Sequence, residues 1–307
     1  MTKIGIVVLN WQQPKLTIDT TESIRKITHS NFNYQIILVD NGSSGDSLSR
    51  FQKKYSSSAD IVLISNPANL GYVEGNNTGI RYALKRHFDY VLVINNDVLV
   101  KPDFVEKLVR RAKSDSKIGI LGPKIYFAAG FEFHHNYPKS QLGRIIWSVG
   151  GRIDWQNILG SNIGIDEYDQ GQYDHLDSSA VDFISGCCLL IKKTVFQKIG
   201  LFDSRFFLFY EDSDFCQRAK KAGYRLSIVP SSVIWHLNSQ TTGAGSRLHD
   251  YFISRNRLLF GLHYAATRTK FALLRESLKI ILTSSSFWQK RGVIDFYLGR
   301  FGRGSWR

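Results

Sequence analysis

Five short apolar runs recur through the first 121 residues, separated by segments of helical length, and this alternation narrows the fold more than any other feature. Residues 4–9, 35–39, 61–64, 90–94 and 118–121 read as strands. Residues 14–26, 46–55, 73–87 and 102–113 read as helices, two of which open on a proline suited to a first helical turn. A strand covered on both faces is apolar throughout rather than alternating. The pattern therefore predicts an α/β chain with a mostly parallel twisted sheet and helices on both faces.

The periodicity fades over residues 126–180, a Gly-, Asn- and aromatic-rich insertion holding Phe131, Phe133, His134, His135, Tyr137, Trp147, Trp155 and Tyr168. Regular structure resumes at 181–192, with helices near 194–199 and 212–222 and a strand at 225–229. From 243 to 307 the chain reads as a basic helical extension. The expected division is 1–242, made of a first part (1–121) and a second part (122–242) that carries the insertion, followed by 243–307.

Composition sets further bounds. The net charge is +14, and nine basic residues stand against two acidic ones from Arg268 onward. A cationic tail suits an anionic lipid surface, nucleic acid or simple solubility. Phe271, Leu274, Leu278, Ile281 and Leu282 fall at helical spacing beside Arg275 and Lys279, as in a basic amphipathic helix or a plain core face. No recognised nucleic-acid-binding motif is present, so a nucleic-acid partner is not expected. No window has the length of a membrane span, and the first apolar run is too short for a secretory signal. Three cysteines without a CxxC fit a reducing cytoplasm. The expected location is cytoplasmic, with peripheral attachment to the inner membrane face through the tail.

Candidate chemistry clusters at strand ends, where open α/β sheets bind ligands. Val8-Leu9-Asn10-Trp11 ends the first strand, and Asp40-Asn41-Gly42-Ser43 follows the second as a ligand contact or a plain turn. Asn69-Leu70-Gly71-Tyr72 and Gly75-Asn76-Asn77-Thr78-Gly79 place glycines inside a helical pattern, at a cost of about 1 kcal/mol each against Ala. A close approach by a ligand or a neighbouring element would account for them. Asn95-Asn96-Asp97 ends the fourth strand as a cation site or a helix cap. Glu211, Asp212 and Asp214 follow a hydrophobic wall at a helix N-terminus, which prepares a general base or merely caps the helix. His236 ends an apolar run as a structural residue or a ligand. The glycine-rich first loop of Rossmann dehydrogenases and sugar-nucleotide pyrophosphorylases is absent after Leu9.

Taken in order, with Gly186 to Lys192, Gly200-Leu201-Phe202-Asp203 and Arg255-Asn256-Arg257 added, these motifs resemble the inverting GT-A glycosyltransferases of family 2. The closest likeness is to their bacterial rhamnosyltransferase-like branch, over about residues 3–240. The resemblance implies a GT-A fold and a donor site formed by Val8, Asn10, Asp40, Asn41, Asn69, Gly71, Asn76, Asn95 and Asn96. It implies Mg²⁺ or Mn²⁺ at Asp97 and His236, and a base at Asp212 with Glu211 beside it; Asp214 is a further candidate. Asn95 stands where the metal-binding motif begins with Asp, which removes one anionic ligand. The implied partners are a dTDP-, UDP- or GDP-sugar and a glycan or lipid-linked saccharide acceptor in cell-surface polysaccharide synthesis. The alternative is a catalytically degenerate sugar-nucleotide-binding module. The aromatic insertion is the expected acceptor site, or else packs upon itself.

Overall fold

In the computed structural model, which describes residues 1–132, 134–237 and 246–306, each of the five apolar runs forms a strand. They are β1 (Thr2–Asn10), β2 (Phe32–Asp40), β3 (Ile61–Ser65), β4 (Tyr90–Ile94) and, after the short β5 (Val98–Val100), β6 (Ile118–Phe127). Between them lie α1 (Pro14–Ile24), α2 (Ser47–Tyr55), α3 (Gly71–Lys85) and α4 (Phe104–Ser114). The later elements are β7 (Ile146–Ser148), β8 (Gly151–Asp154), β9 (Leu159–Asn162), β10 (Cys188–Lys192), α5 (Lys193–Ile199), α6 (Glu211–Lys221) and β11 (Arg225–His236). Three helices follow: α7 (Arg247–Tyr264), α8 (Thr267–Thr283) and α9 (Phe287–Tyr297).

The main sheet runs β3-β2-β1-β4-β10-β6-β11-β5, with β7 added on β6. The first four strands are parallel, as the sequence pattern requires. Residues 118–121 do not continue that series. β10 lies between β4 and β6 and is antiparallel to both. Its five residues come from beyond the insertion, a separation that local periodicity cannot register.

The apolar runs are continuous because both faces of the sheet are covered. Val7, Ile37, Val39, Val91 and Val93 pack with Ile80 and Ala83 of α3 in one core. Ile6, Val8, Ile36, Leu38 and Leu92 pack with Ile24, Phe104 and Leu108 of α1 and α4 in the other. The α3 glycines answer to a neighbouring element. A Cβ on Gly79 would sit 2.5 Å from Val7 Cγ1, and one on Gly75 would sit 2.7 Å from Leu9 Cδ1.

The insertion is mostly exposed or half-buried but is anchored through a set of buried apolar residues. Ile145, Ile146, Val149, Ile153, Ile158 and Ile163 are buried with the α3-side residues, β8 and β9 form a hairpin, and Lys124 of β6 pins the segment by donating to Asp169 at 2.8 Å and Asp174 at 2.9 Å. Phe133 and the expected boundary at 242–243 lie outside the described residues. α7 meets α8 and α9 closely, since a Cβ on Gly261 would lie 2.4 Å from Leu273 Cδ1 and one on Gly292 2.3 Å from the Tyr251 carbonyl oxygen. No helix among the described residues is long and apolar enough to cross a membrane.

Candidate active site

The carboxyl ends of β1, β2, β4 and β11 gather with the start of β10. Asn10 lies opposite Asp40 in the β1–β2 register, and Cys188 lies opposite Ile94 in β10–β4. A chain of side-chain hydrogen bonds ties the first three ends together. Asn10 Nδ2 donates to Asp40 Oδ1 at 2.7 Å, Thr17 Oγ1 donates to Asn10 Oδ1 at 2.7 Å, and Asn96 Nδ2 donates to Thr17 Oγ1 at 2.9 Å. Thr20 of α1 donates to the Asn96 carbonyl at 2.8 Å, fixing the turn after β4. Asn41 takes the adjoining loop: its Oδ1 accepts from Asn66 Nδ2 at 3.0 Å and Leu70 N at 3.2 Å, while its Nδ2 donates to the Gly71 carbonyl at 3.0 Å.

These bonds hold several of the expected donor residues in place. Asp40 is 1% exposed, and its second oxygen accepts from Ser43 N at 3.1 Å. Asn10 and Asn41 are equally buried, and the Val8 side chain lies in the core, leaving only its backbone available. Asn69, Asn95 and Asn96 keep part of their surface open. Gly71, at φ +80°, takes a conformation that favours glycine, and a Cβ there would lie 2.4 Å from the Phe207 ring. Asn76 is buried on α3, with Nδ2 on the Tyr72 carbonyl and Oδ1 without a hydrogen-bond partner.

Asp97, in the turn between β4 and β5, and His236, at the end of β11, come together. His236 Nε2 lies 3.2 Å from Asp97 Oδ1, and Leu237 N donates to the Asp97 carbonyl at 2.8 Å. Both residues are under a tenth exposed, and Trp147 packs edge-on against the imidazole with ring centroids 4.7 Å apart. Nδ1 of His236 has no hydrogen-bond partner. Among the described residues no third His, Cys, Asp or Glu joins the pair. One carboxylate and one imidazole are a donor pair that could hold a divalent cation if further ligands came from elsewhere.

Asp212 stands on the first turn of α6. Its Oδ2 accepts from Gly186 N at 2.9 Å, and its Oδ1 accepts from Ser213 N at 2.6 Å. Tyr72 Oη donates to the carbonyl of the same Gly186 at 2.7 Å, and the next carbonyl, Cys187, accepts from Asn95 N at 2.9 Å. One peptide unit therefore separates the strand end carrying Asn95 from the amide held by Asp212. The charge of Asp97 also reaches the Cys187 thiol, which burial first and that carboxylate second push well upward.

Burial works against the ionised form at two of the carboxylates on this turn. Burial, reinforced by the neighbouring Asp212 charge, pushes Glu211 well above the ordinary carboxylate range. Burial also raises Asp212, opposed by the Gly186 and Ser213 hydrogen bonds. Asp214 is committed elsewhere: Arg218 Nε donates to it at 2.7 Å, as does Tyr264 Oη.

The family model described as Glycosyltransferase like family 2 matches residues 2–261. The chain belongs to glycosyltransferase family 2. This glycosyltransferase-family chain is 28% identical over 229 residues to the "Low-salt glycan biosynthesis hexosyltransferase Agl10" of Haloferax volcanii, covering 73% of this chain and 66% of that one. It is 29% identical over 227 residues to the "N-acetylglucosaminyl-diphospho-decaprenol L-rhamnosyltransferase" of Mycobacterium tuberculosis, covering 70% of each. It thus spans about two-thirds of the length of these relatives. A solved structure of GalNAc-T7 with UDP, GalNAc and Mn²⁺ aligns with 94% of this chain and 58% of its own, at 16% identity and a TM-score of 0.61. The glycosyltransferase chain has the GT-A fold.

Sequence reading missed Thr17 and Thr20, which join three strand ends; it named Tyr72 and Trp147 only as parts of a glycine-containing motif and of the aromatic insertion, and the structure sets them beside Gly186 with Asp212 and beside His236. One signal was available. Thr17, Thr20 and Thr21 are poor helix formers, yet all three are fully buried on one face of α1.

Proposed function

We propose that this chain is an inverting glycosyltransferase that moves a sugar from a nucleotide-diphosphate donor to a hydroxyl of a glycan or lipid-linked acceptor in cell-surface polysaccharide synthesis. The observation that supports this reading is the Gly186-Cys187 segment, which puts Asp212 on one side and the strand end carrying Asn95 to Asp97 on the other. Asp97 and His236 are the residues that would hold Mg²⁺ or Mn²⁺. When bound, such an ion neutralises charge on the departing diphosphate.

Asp212 removes the proton from the acceptor hydroxyl as that oxygen attacks the anomeric carbon and the nucleoside diphosphate leaves. A single displacement inverts the anomeric configuration and needs no enzyme nucleophile. An upward-shifted carboxylate is a stronger base, and the Gly186 and Ser213 amides fix its direction. Glu211 keeps a neighbouring charge low by remaining protonated over a wider range. Asn69, Gly71, Asn95 and Asn96 line the donor side, while Asn10, Asp40, Asn41 and Asn76 act through the loops and helix they fix. Trp147 offers the acceptor a flat apolar face beside His236, whereas Trp155 stacks on Phe260, away from that pair.

α8 gives the reading a further partner. Leu273 and Ser277 face inward, while Phe271, Leu278 and Leu282 are 68%, 55% and 79% exposed beside Arg268, Arg275 and Lys279. An anionic lipid surface suits this face, as a lipid-linked acceptor would require.

The decisive experiment compares the wild-type protein with Asp212→Asn on a panel of UDP-, GDP- and dTDP-sugars with Mn²⁺ and acceptor glycans, measuring released nucleoside diphosphate. The variant is expected to lose activity by about a thousandfold or more, near the upper range for general-base removal, while nucleotide still raises its Tm. Near-normal turnover by the variant would reject Asp212 as the base. Nucleotide binding without wild-type turnover on any acceptor would favour the degenerate binding module.

A further inference from the structure

Two fully buried polar side chains on α7, Arg255 and Asn256, play no part in the chemistry described above. They are surrounded largely by backbone carbonyls of the segment that leads into α6. Asn256 Nδ2 donates to the carbonyls of Phe206, Leu208 and Phe209 at 2.9, 2.7 and 3.0 Å. Its Oδ1 accepts from Arg255 Nε at 3.0 Å, so the amide is oriented with its nitrogen towards the loop. Arg255 Nη2 donates to the Arg205 and Phe206 carbonyls at 3.1 and 3.0 Å, and Nη1 donates to the Gly302 carbonyl at 2.7 Å.

The segment so gripped has an unusual course. Phe207, Phe209 and Tyr210 have φ of +65°, +68° and +69°, a left-handed conformation that aromatic residues rarely adopt. Tyr210 immediately precedes α6, so these three angles set the direction in which Glu211 and Asp212 leave the loop. On the opposite side the Phe207 carbonyl accepts from Val73 N at 3.1 Å, and the Phe207 ring rests over Gly71. The loop is thus held between the donor-side helix α3 and the pair on α7. A run with this backbone needs external partners, since strained conformations persist only where their surroundings over-determine them.

We propose that Arg255 and Asn256 are positioning residues for the base: by holding the carbonyls of Arg205, Phe206, Leu208 and Phe209 they keep the loop in its left-handed course and aim Asp212 at the acceptor. The proposal rests on the reading of Asp212 as general base, and its test separates the two. Asn256→Ala and Arg255→Lys are assayed with the same nucleotide-sugar panel and Mn²⁺, at a temperature where circular dichroism shows each variant folded. Amide hydrogen exchange is followed in parallel.

For Asn256→Ala, kcat is expected to fall about a hundredfold, the scale of an ångström-sized misplacement, with donor KM within about threefold of wild type. Amides of residues 207–213 are expected to exchange faster while those of β1 and β2 keep their protection. Arg255→Lys retains the charge and one donor group. It should show the same localised exchange with a smaller loss of kcat, and it carries the test if Asn256→Ala does not fold. Unchanged exchange in 207–213, or loosening spread evenly through β1 and β2, would overturn the proposal. If the wild-type protein turns over no donor, the reading of Asp212 falls, and the exchange pattern alone then decides whether this pair sets the loop.

Discussion

Glu211 is 5% exposed, and its Oε2 is buried without a hydrogen-bond partner. Burial, and then the Asp212 charge, raise its pKa well above the ordinary value of 4.5, which has a definite consequence for stability. Below 4.5 the folded and unfolded chains both carry the proton. Between 4.5 and the raised value the unfolded chain releases it and the native chain keeps it, so the stability contribution of this site falls as pH rises through that window. Asp212 acts in the same direction from its ordinary 3.8. Glutamine mimics the protonated side chain, so Glu211→Gln is expected to raise Tm, more at pH 8 than at pH 5. Thermal unfolding of both proteins across that range checks it, and a gain that shrank with rising pH would contradict the assigned burial. Such a gain would mark Glu211 as a residue kept at a cost to stability.

At the scale of elements, α3 shows what the sequence discloses and what it hides. Glycines four apart in a helical pattern signal a close approach, and the structure supplies Val7 and Leu9 of β1 as the neighbours. Gly79→Ala gains about 1 kcal/mol of helix propensity, but the new methyl would sit 2.5 Å from Val7 Cγ1, and overpacking costs about 1–3 kcal/mol. A net loss of about 1 kcal/mol is expected, read as a lower midpoint in urea at unchanged slope; a more stable variant would show that α3 can lift off the sheet freely. The parallel strands were legible because burial on both faces leaves unbroken apolar runs. β10 was not, because its place between β4 and β6 depends on pairings such as Leu190 with Leu92 and Leu190 with Leu121, far apart in sequence. The same limit applies at the site. Asp97, Asp212 and His236 stood out by residue type at strand and helix ends, whereas the grip of Arg255 and Asn256 on the loop before α6 is a tertiary contact with no local pattern. The inward turn of Asp40 was hidden for the same reason: its partner Asn10 sits on another strand.

For the whole molecule, the net charge of +14 is concentrated towards α8 and beyond, where exposed apolar side chains share a helix face with cations. Three cations near an anionic surface contribute about 1 kcal/mol each, or roughly a hundredfold in affinity together. That alone is weak attachment, and it is screened by salt. Phe271, Leu278 and Leu282 each add about 1.5–3 kcal/mol if fully buried among acyl chains, so insertion rather than charge must supply most of the binding. The two contributions separate experimentally. The protein is expected to sediment with phosphatidylglycerol vesicles and far less with phosphatidylcholine ones, with binding reduced but not abolished at 0.5 M NaCl. Phe271→Ser with Leu282→Ser should remove the salt-resistant part and leave turnover on a soluble acceptor intact, because α8 lies outside the strand-end site. Equal binding by this double variant would show that charge alone attracts the protein to lipid and that the exposed apolar face of α8 belongs to some other contact.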